Sequence, residues 1–522
     1  MYVIGGGAGL PPGGPDAVGA KAFNLARMAD AGLPVPPAFV LPTSWCRALR
    51  DGIADEAAVA AALESGMQRL EATTGLGFGS ARRPLLVSVR SGGAVSMPGM
   101  LETVLDVGLN TAGVEGLLRL TGNPRLAWDS FRRLVQGYAE VVQGLPAAPF
   151  DELVAAALAE SEAESERDLD HRALHGLAFA MLERFRSLAG KPFPTEPRAQ
   201  LLAAVMAVFR SWDAPKAVTY RRLNGLDDSA GTAVTVQAMV YGNAGGASGA
   251  GVGFTRDPAT GERGLYVDFA FNGQGEDVVA GRRATDGGAR LARMLPSVFG
   301  QLEAMCGTLE ALSGDAQDFE FTVQTGALWL LQTRRAKRTP WAALRIAVEL
   351  VEEGLLSPAE ARGLLRGIDA ATVVRTRFAN PGPVLARAQV ASVGVVSGRI
   401  ALDSAAAERL AQSGPAILVR QETVTEDIAG MASAVGILTA MGGRTSHAAV
   451  VARQLGRVCL VACPELVIDL ARRTCCIGGQ DFAEGDPLSL DGNEGTVHAG
   501  LLEAVAERPE RELAAIAAWP KA

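Results

Sequence analysis

At 522 residues the chain is longer than one ordinary hydrophobic core, so two to four domains are expected. Its 48% hydrophobic and 20% charged residues are those of a soluble globular protein, and a formal net charge of -8 argues against nonspecific nucleic-acid binding. No apolar run is long enough to span a bilayer, the start MYVIGGGAG lacks the pattern of a secretory signal, and six cysteines fit a reducing cytoplasm better than a disulfide framework.

The opening GGGAGLPPGGPD reads as a turn-rich lead-in. Residues 18–31, VGAKAFNLARMADA, have the period of an amphipathic helix and carry Lys21. Residues 32–40 read as a loop running into a strand. A predicted strand at 85–90 opens into SGGAVSMPGM, and a glycine-rich loop after a strand can bring backbone N–H groups to phosphates. From 114 to about 188 the pattern is helical. His171 and His175, four apart, could ligate a metal, but no third ligand is evident and a solvated helix face is the simpler reading. A helix over 201–222 gives way to strands at 232–239 and 251–255, joined by the hairpin-like YGNAGGASGAG. FNGQGEDVVAG, at 271–281, is a further polar turn.

In QDFEFT, Asp318 and Glu320 are two apart in a predicted strand, so both carboxylates point to one face. A tight QTG turn leads into ALWLLQTR, where Gln332 and Arg334 again share a face. Two carboxylates, an amide and a guanidinium on adjoining strands suit Mg²⁺ and a polyphosphate. An ordinary half-exposed hairpin with outward polar residues fits the same pattern. Residues 341–365 are helical, 375–384 with NPGP read as a linker, and a mixed β/α unit follows from near 391. Beyond 500 a short helical tail is expected. Cys459, Cys463, Cys475 and Cys476 sit in apolar strands without paired C-x-x-C knuckles, which favours buried thiols over zinc.

Within the β/α unit lies GGRTSHAAVVARQLG, at 442–456. Thr445 or Ser446 can cap the helix that follows, which places His447 in its first turn. Free N–H groups and the positive end of the macrodipole favour an anion there. A neutral imidazole, with an ordinary pKa of about 6.5, can attack phosphorus at neutral pH. A helix-start histidine that only packs or hydrogen-bonds is the alternative.

This segment resembles the phosphohistidine segment shared by pyruvate, phosphate dikinase and phosphoenolpyruvate synthase. SVRSGGAVSMPGMLETVLDVGLN, GNPRLAWDSFRR, YRRLNG, TAVTVQAMVYGN, GVGFTRDPATGE, NGQGEDVVAG and RIAVELVEEGLLS resemble the dikinase. The synthase differs after SVRS. The resemblance implies an α/β and α+β multidomain chain. Its parts would be an ATP-grasp nucleotide-binding region over 1–340 with a helical part at about 114–222, and a helical linker over 341–385. A swivelling β/α phosphohistidine domain over 386–505 and a short helical tail over 506–522 would complete it.

The resemblance also implies roles. Lys21 and Arg90 would hold ATP phosphates under a loop that includes Gly92 and Gly93. Gln237 and Met239 would lie beside adenine, and Glu276 near the ribose. Asp318, Glu320 and Gln332 would surround Mg²⁺, Arg334 would contact phosphate, and His447 would carry the phosphoryl group. Arg90, Arg334 and His447 are thus the expected catalytic set, and Thr445 matches a threonine phosphorylated by a regulatory kinase in plant and some bacterial relatives. The expected half-reaction is Mg·ATP plus phosphate giving phosphohistidine, AMP and pyrophosphate in the cytoplasm, with no nucleic acid or membrane partner.

Departures also count. The dikinase continues into a barrel that binds pyruvate and phosphoenolpyruvate, and no barrel motif occurs in these 522 residues. A fragment, or a natural short relative working with a separate barrel chain, is therefore expected, with a homodimer left open. Arg444 follows the synthase version of the motif, and ASVGVVSG stands where the family usually has ASPGAASG. Rival readings are a non-catalytic nucleotide-binding or regulatory relative, and a phosphotransferase to another acceptor.

Overall fold

The computed structural model describes residues 1–95, 97, 102–163, 165–275, 287–424, 427–442 and 447–520. It is a mixed α/β and α+β multidomain structure, as expected, and divides into two compact units. One comprises Met1–Ser248 with Thr322–Arg334, the other Gly249–Phe321 with Arg335–Ala522.

The first unit is built on a five-stranded sheet ordered Tyr2–Ile4, Ala38–Leu41, Ala233–Ala238, Val87–Gly92, Thr103–Val107. Every neighbouring pair is antiparallel. Because side chains alternate, Phe39, Leu41, Val87, Val89, Val234 and Val236 all point to one face, where they join a helical core. That core is supplied by helices including Glu56–Thr74, Pro124–Gln143, His171–Ala189 and Pro197–Ser211. Asp55, Asn123, Asp170 and Glu196 each cap one of these four starts with a side-chain oxygen. Phe39, Phe131 and Phe150 are buried completely, which stabilises the fold by about 1.5–3 kcal/mol for each side chain.

A strand, Tyr2–Ile4, precedes the turn-rich lead-in, and its partner is more than thirty residues further on. Two expectations are corrected here. The helix expected over 201–222 is two helices, Pro197–Ser211 and Pro215–Leu223, because Pro215 has no N–H to continue the ladder. YGNAGGASGAG is not a hairpin turn. Ala233–Ala238 pairs with Ala38–Leu41 and Val87–Gly92, whereas Gly249–Arg256 pairs with Arg263–Phe271.

In the second unit, Gly249, Gly251 and Gly253 alternate along a strand for a packing reason. A Cβ on them would lie 2.2, 2.6 and 2.3 Å from the rings of Phe269, Phe321 and Phe319, respectively. The buried Arg256 ends this strand and binds Glu310, Glu349 and Glu353, tying it to helices Pro296–Ser313 and Pro340–Glu352. The 510–518 tail helix does not stand apart. Its Leu513 and Ile516 pack on Leu344, Ala347 and Ala361 of the linker helices. The stretch read as a linker likewise contains a strand, Arg375–Phe378, paired antiparallel with Ala504–Glu507.

Helix His447–Leu455 lies in a body built on an eight-stranded sheet spanning 384–499. At its centre, Val395–Ala401, Ala416–Arg420, Gly436–Thr439 and Val458–Val461 run parallel. Helices Ser404–Ala411, Ile428–Ser433 and His447–Leu455 make the three crossovers. Alanines 406, 407, 448, 449 and 452 form the helix side of one core layer, so these helices approach the sheet closely.

Candidate functional site

The strand Val87–Gly92 divides its residues between two environments. Val87 and Val89 face the helical core, which leaves Ser88 and Arg90 on the opposite face. Ser88 is in register with Gln237, so Arg90 and Gln237 are diagonal neighbours on that face. Arg90 Nη1 lies 3.5 Å from Gln237 Oε1 and 3.4 Å from the Leu331 carbonyl oxygen. Both are long for hydrogen bonds and orient the guanidinium rather than clamp it. Gln237 is itself fixed, since its Nε2 donates to the Pro36 carbonyl at 3.1 Å.

The helix that carries Lys21 approaches Gly92 and Gly93, at the end of the Arg90 strand, by a backbone device. Helix Gly14–Asp30 is interrupted at Gly19, which has φ 79° and ψ 150°. There the backbone lies against Gly92, and Ala20 N donates to the Gly93 carbonyl at 2.9 Å. The helix resumes beyond this point, so Lys21 stands in its first resumed turn beside Gly92 and Gly93. One turn on, Asn24 Nδ2 donates to the Thr333 carbonyl at 3.0 Å. Gly19 and Asn24 fix this helix in place and are absent from the expected set. The available signals were a glycine inside a helical run and a polar residue three after Lys21 on the same helix face.

The strand Ala327–Arg335 carries Gln332 and Arg334. Leu330 N donates to the Pro34 carbonyl at 2.7 Å, while Leu331 O accepts from Arg90. Neighbouring residues of a strand turn their polar groups to opposite sides, so the two bonds hold the strand from both sides. Gln332 and Thr333 are both buried, and Arg334 is exposed at the strand end.

Asp318 and Glu320 do share one face of Gln317–Gln324. Phe319, Phe321 and Val323 fill the core on the other face. The turn into the next strand is Thr325–Gly326, with φ 51° and 80°, a two-residue turn of the kind that suits a twisted hairpin. Among the described residues no three His, Cys, Asp or Glu side chains gather as a metal site. A fit to Mg²⁺ therefore rests on hard oxygens, those of the Asp318 and Glu320 carboxylates turned away from an apolar core.

Met239 departs from the expected arrangement. Its strand ends at Ala238, and its side chain packs against the helical core. Glu276 and Thr445 lie outside the described residues. His447 is the first residue of helix His447–Leu455, which follows the C-terminal end of a parallel strand. In open α/β sheets ligands bind at that end. His175 is exposed and lies edge-on to Trp128 at 4.4 Å. Cys459, Cys463 and Cys475 are buried, whereas Cys476 is half-buried. No helix among the described residues is long and apolar enough to cross a membrane.

Comparison with known proteins agrees with this layout. Residues 47–296 match the family described as pyruvate phosphate dikinase, AMP/ATP-binding domain, and residues 412–495 match the PEP-utilising enzyme, mobile domain. Pyruvate, phosphate dikinase of Clostridium symbiosum is 42% identical over 504 residues, covering 93% of this chain and 56% of the relative. That of Rhizobium meliloti (strain 1021) is 40% identical, covering 97% and 58%. Pyruvate, phosphate dikinase 1, chloroplastic, of Zea mays is 42% identical, covering 92% and 52%. The chain thus spans about half the length of the curated relatives it matches. With both family domains in order and this identity along nearly its whole length, the chain belongs to the pyruvate, phosphate dikinase family.

Proposed function

We propose that the chain is an ATP-dependent phosphotransferase that moves the β-phosphoryl group of ATP to His447, with phosphate as cosubstrate and AMP and pyrophosphate as products. The observation that carries this reading is the gathering of Arg90, Gln237, Gly93 and the Lys21 helix around one strand end, in a chain that also holds a mobile phosphohistidine-type domain. Phosphoryl transfer asks a protein mainly for positioning and charge neutralisation.

Lys21, Arg90 and Arg334 supply positive charge to the triphosphate. Gly92 and Gly93 let the backbone approach it, and Gln237, Met239 and Glu276 are assigned to the nucleoside side. Asp318, Glu320 and Gln332 would hold Mg²⁺, which when bound neutralises phosphate charge. His447 supplies the nucleophilic nitrogen and holds the phosphoryl group at a helix start. A phosphate on Thr445, two residues earlier, would repel that group and switch the transfer off.

Passage of the phosphoryl group to pyruvate needs the family's barrel, on another segment or a separate chain. The cytoplasm is the compartment we assign. A single-turnover assay with Mg²⁺, ATP and phosphate tests the half-reaction. AMP and pyrophosphate should appear together, in equal amounts, and ADP as the nucleotide product would contradict the assignment.

A further inference from the structure

A body that shuttles a group must be held in one orientation weakly enough to leave it. The root of the 384–499 body shows such a holding. The chain reaches and leaves this body through the paired strands Arg375–Phe378 and Ala504–Glu507. On one side this ribbon is fixed to the helical base. The Arg375 guanidinium, held by its Nε to Glu507 across the ribbon at 2.7 Å, stacks 4.2 Å over Trp341 of the base.

On the other side, both crossings are fixed to the body. His498 Nδ1 lies 3.0 and 3.2 Å from the Gly382 and Pro383 carbonyls. Ser397 and Ser489 hydroxyls accept from Leu502 N at 3.0 and 3.1 Å. Ribbon and body are joined directly by the edge-on Phe378–His498 ring pair, with centroids 6.1 Å apart, and by Asn493. Asn493 Nδ2 donates to the Thr376 carbonyl of the ribbon at 2.7 Å, while its Oδ1 accepts from Gly394 N within the body at 3.2 Å. Thr376 Oγ1 adds an acceptor for Val395 N at 3.3 Å.

The turn presenting Asn493 is closely seated. Asp491 Oδ1 accepts from Asn493 N at 2.9 Å and Glu494 N at 3.0 Å. A Cβ on Gly492 would lie 2.6 Å from the Ser392 carbonyl oxygen. Beside this turn is a cavity of about 760 Å³ bounded by Trp341, Arg375, Thr376, Gly394 and Asn493. Packed side chains do not fill this side of the junction, so polar bonds hold the orientation there.

We propose that Asn493 is a positioning residue, a latch that holds the 384–499 body to its root in this orientation and must open when His447 travels. Its catalytic consequence rests on the phosphoryl-carrier reading; the latch itself does not.

The test uses the full chain with spin labels at the exposed positions Arg366 and Glu408, each changed to Cys, in a Cys306→Ser, Cys476→Ser background. Wild type at Asn493 should give one dominant distance. Asn493→Ala removes both bonds. Asn493→Asp keeps the acceptor for Gly394 N and loses only the donor to Thr376, so it covers the case in which the alanine variant unfolds. Each should move population out of the dominant distance roughly threefold to tenfold, the range expected for one lost hydrogen bond. Unchanged distances in folded Asn493→Asp would overturn the latch. Labelling of His447 from β-labelled ATP should change rate alongside the distances. Labelling absent even with Asn493 intact would sink the carrier reading and leave the distances to judge the latch.

Discussion

Gly19 and Gly92 meet backbone to backbone: a Cβ on Gly19 would lie 2.3 Å from the Gly92 carbonyl oxygen. The reverse does not hold, since a Cβ on Gly92 would find only ordinary contacts, 3.8 Å from Val18 O. Gly19 also has φ 79°, where side chains are strained, and Gly92 has no such φ. Gly19→Ala should therefore destabilise the first unit by about 2 kcal/mol or more and displace Lys21 from the 92–93 turn. Gly92→Ala should leave the melting temperature close to wild type. Thermal melts of both variants check this, and equal effects would mean that the close approach is not rigid.

Glu320→Ala and Arg334→Ala should each weaken Mg·ATP binding by roughly tenfold to a hundredfold, the size of a lost charged hydrogen bond. Titration calorimetry reads this directly. Wild-type affinity in both variants would remove the 317–335 hairpin from the nucleotide site.

Much of this hairpin was legible in the sequence because its signals are local. Alternation in QDFEFT put Asp318 and Glu320 on one face, and Thr325–Gly326 makes the turn that QTG announced. The helix after Gly442 was equally readable, since HAAVVARQL has a helical composition and an alanine face that buries. What was not readable depends on distant partners. Nothing near Arg375 shows that its strand pairs with Glu507, over 130 residues away. The glycines of YGNAGGASGAG look like a hairpin turn because composition reports flexibility, not which strand lies next door. The Gly19 break was hidden because the sequence on both sides of it is helical.

Acid should strike the helical part of the first unit. Burial alone would raise the Asp129 carboxyl, but the guanidinium groups of Arg133, Arg132 and Arg125 outweigh it and hold it well below the usual carboxylate range. A carboxylate with a lowered folded-state pKa adds stability above its unfolded value of about 3.9, and that stability is lost as pH falls through the folded value. Asp129→Asn should therefore cost about 1–3 kcal/mol at pH 7, since the buried Arg132 keeps Glu166 but loses its buried carboxylate partner. The difference between variant and wild type should shrink below pH 4. A denaturation series from pH 7 to pH 3 checks both; a constant difference would contradict the ion pair.

Burial pushes the Cys459 thiol up to about 12, and those of Cys463 and Cys475 to about 11. At pH 8 the native protein should therefore label these three very slowly with a thiol reagent, because the thiolate is the reactive form. Half-buried Cys476 should react first. Mass spectrometry of labelled peptides reads the order, and prompt labelling of Cys459 would show that the 384–499 body opens readily.

The central claim is that this chain, by itself, places a phosphoryl group from ATP on His447. ATP labelled at the β-phosphate, supplied with Mg²⁺ and phosphate, should give an acid-labile, base-stable adduct that is lost in His447→Asn. Adding pyruvate alone should leave the adduct in place, and adding a separately expressed barrel of the family should discharge it. No adduct with the wild-type chain, or an adduct that survives in His447→Asn, would contradict the assignment.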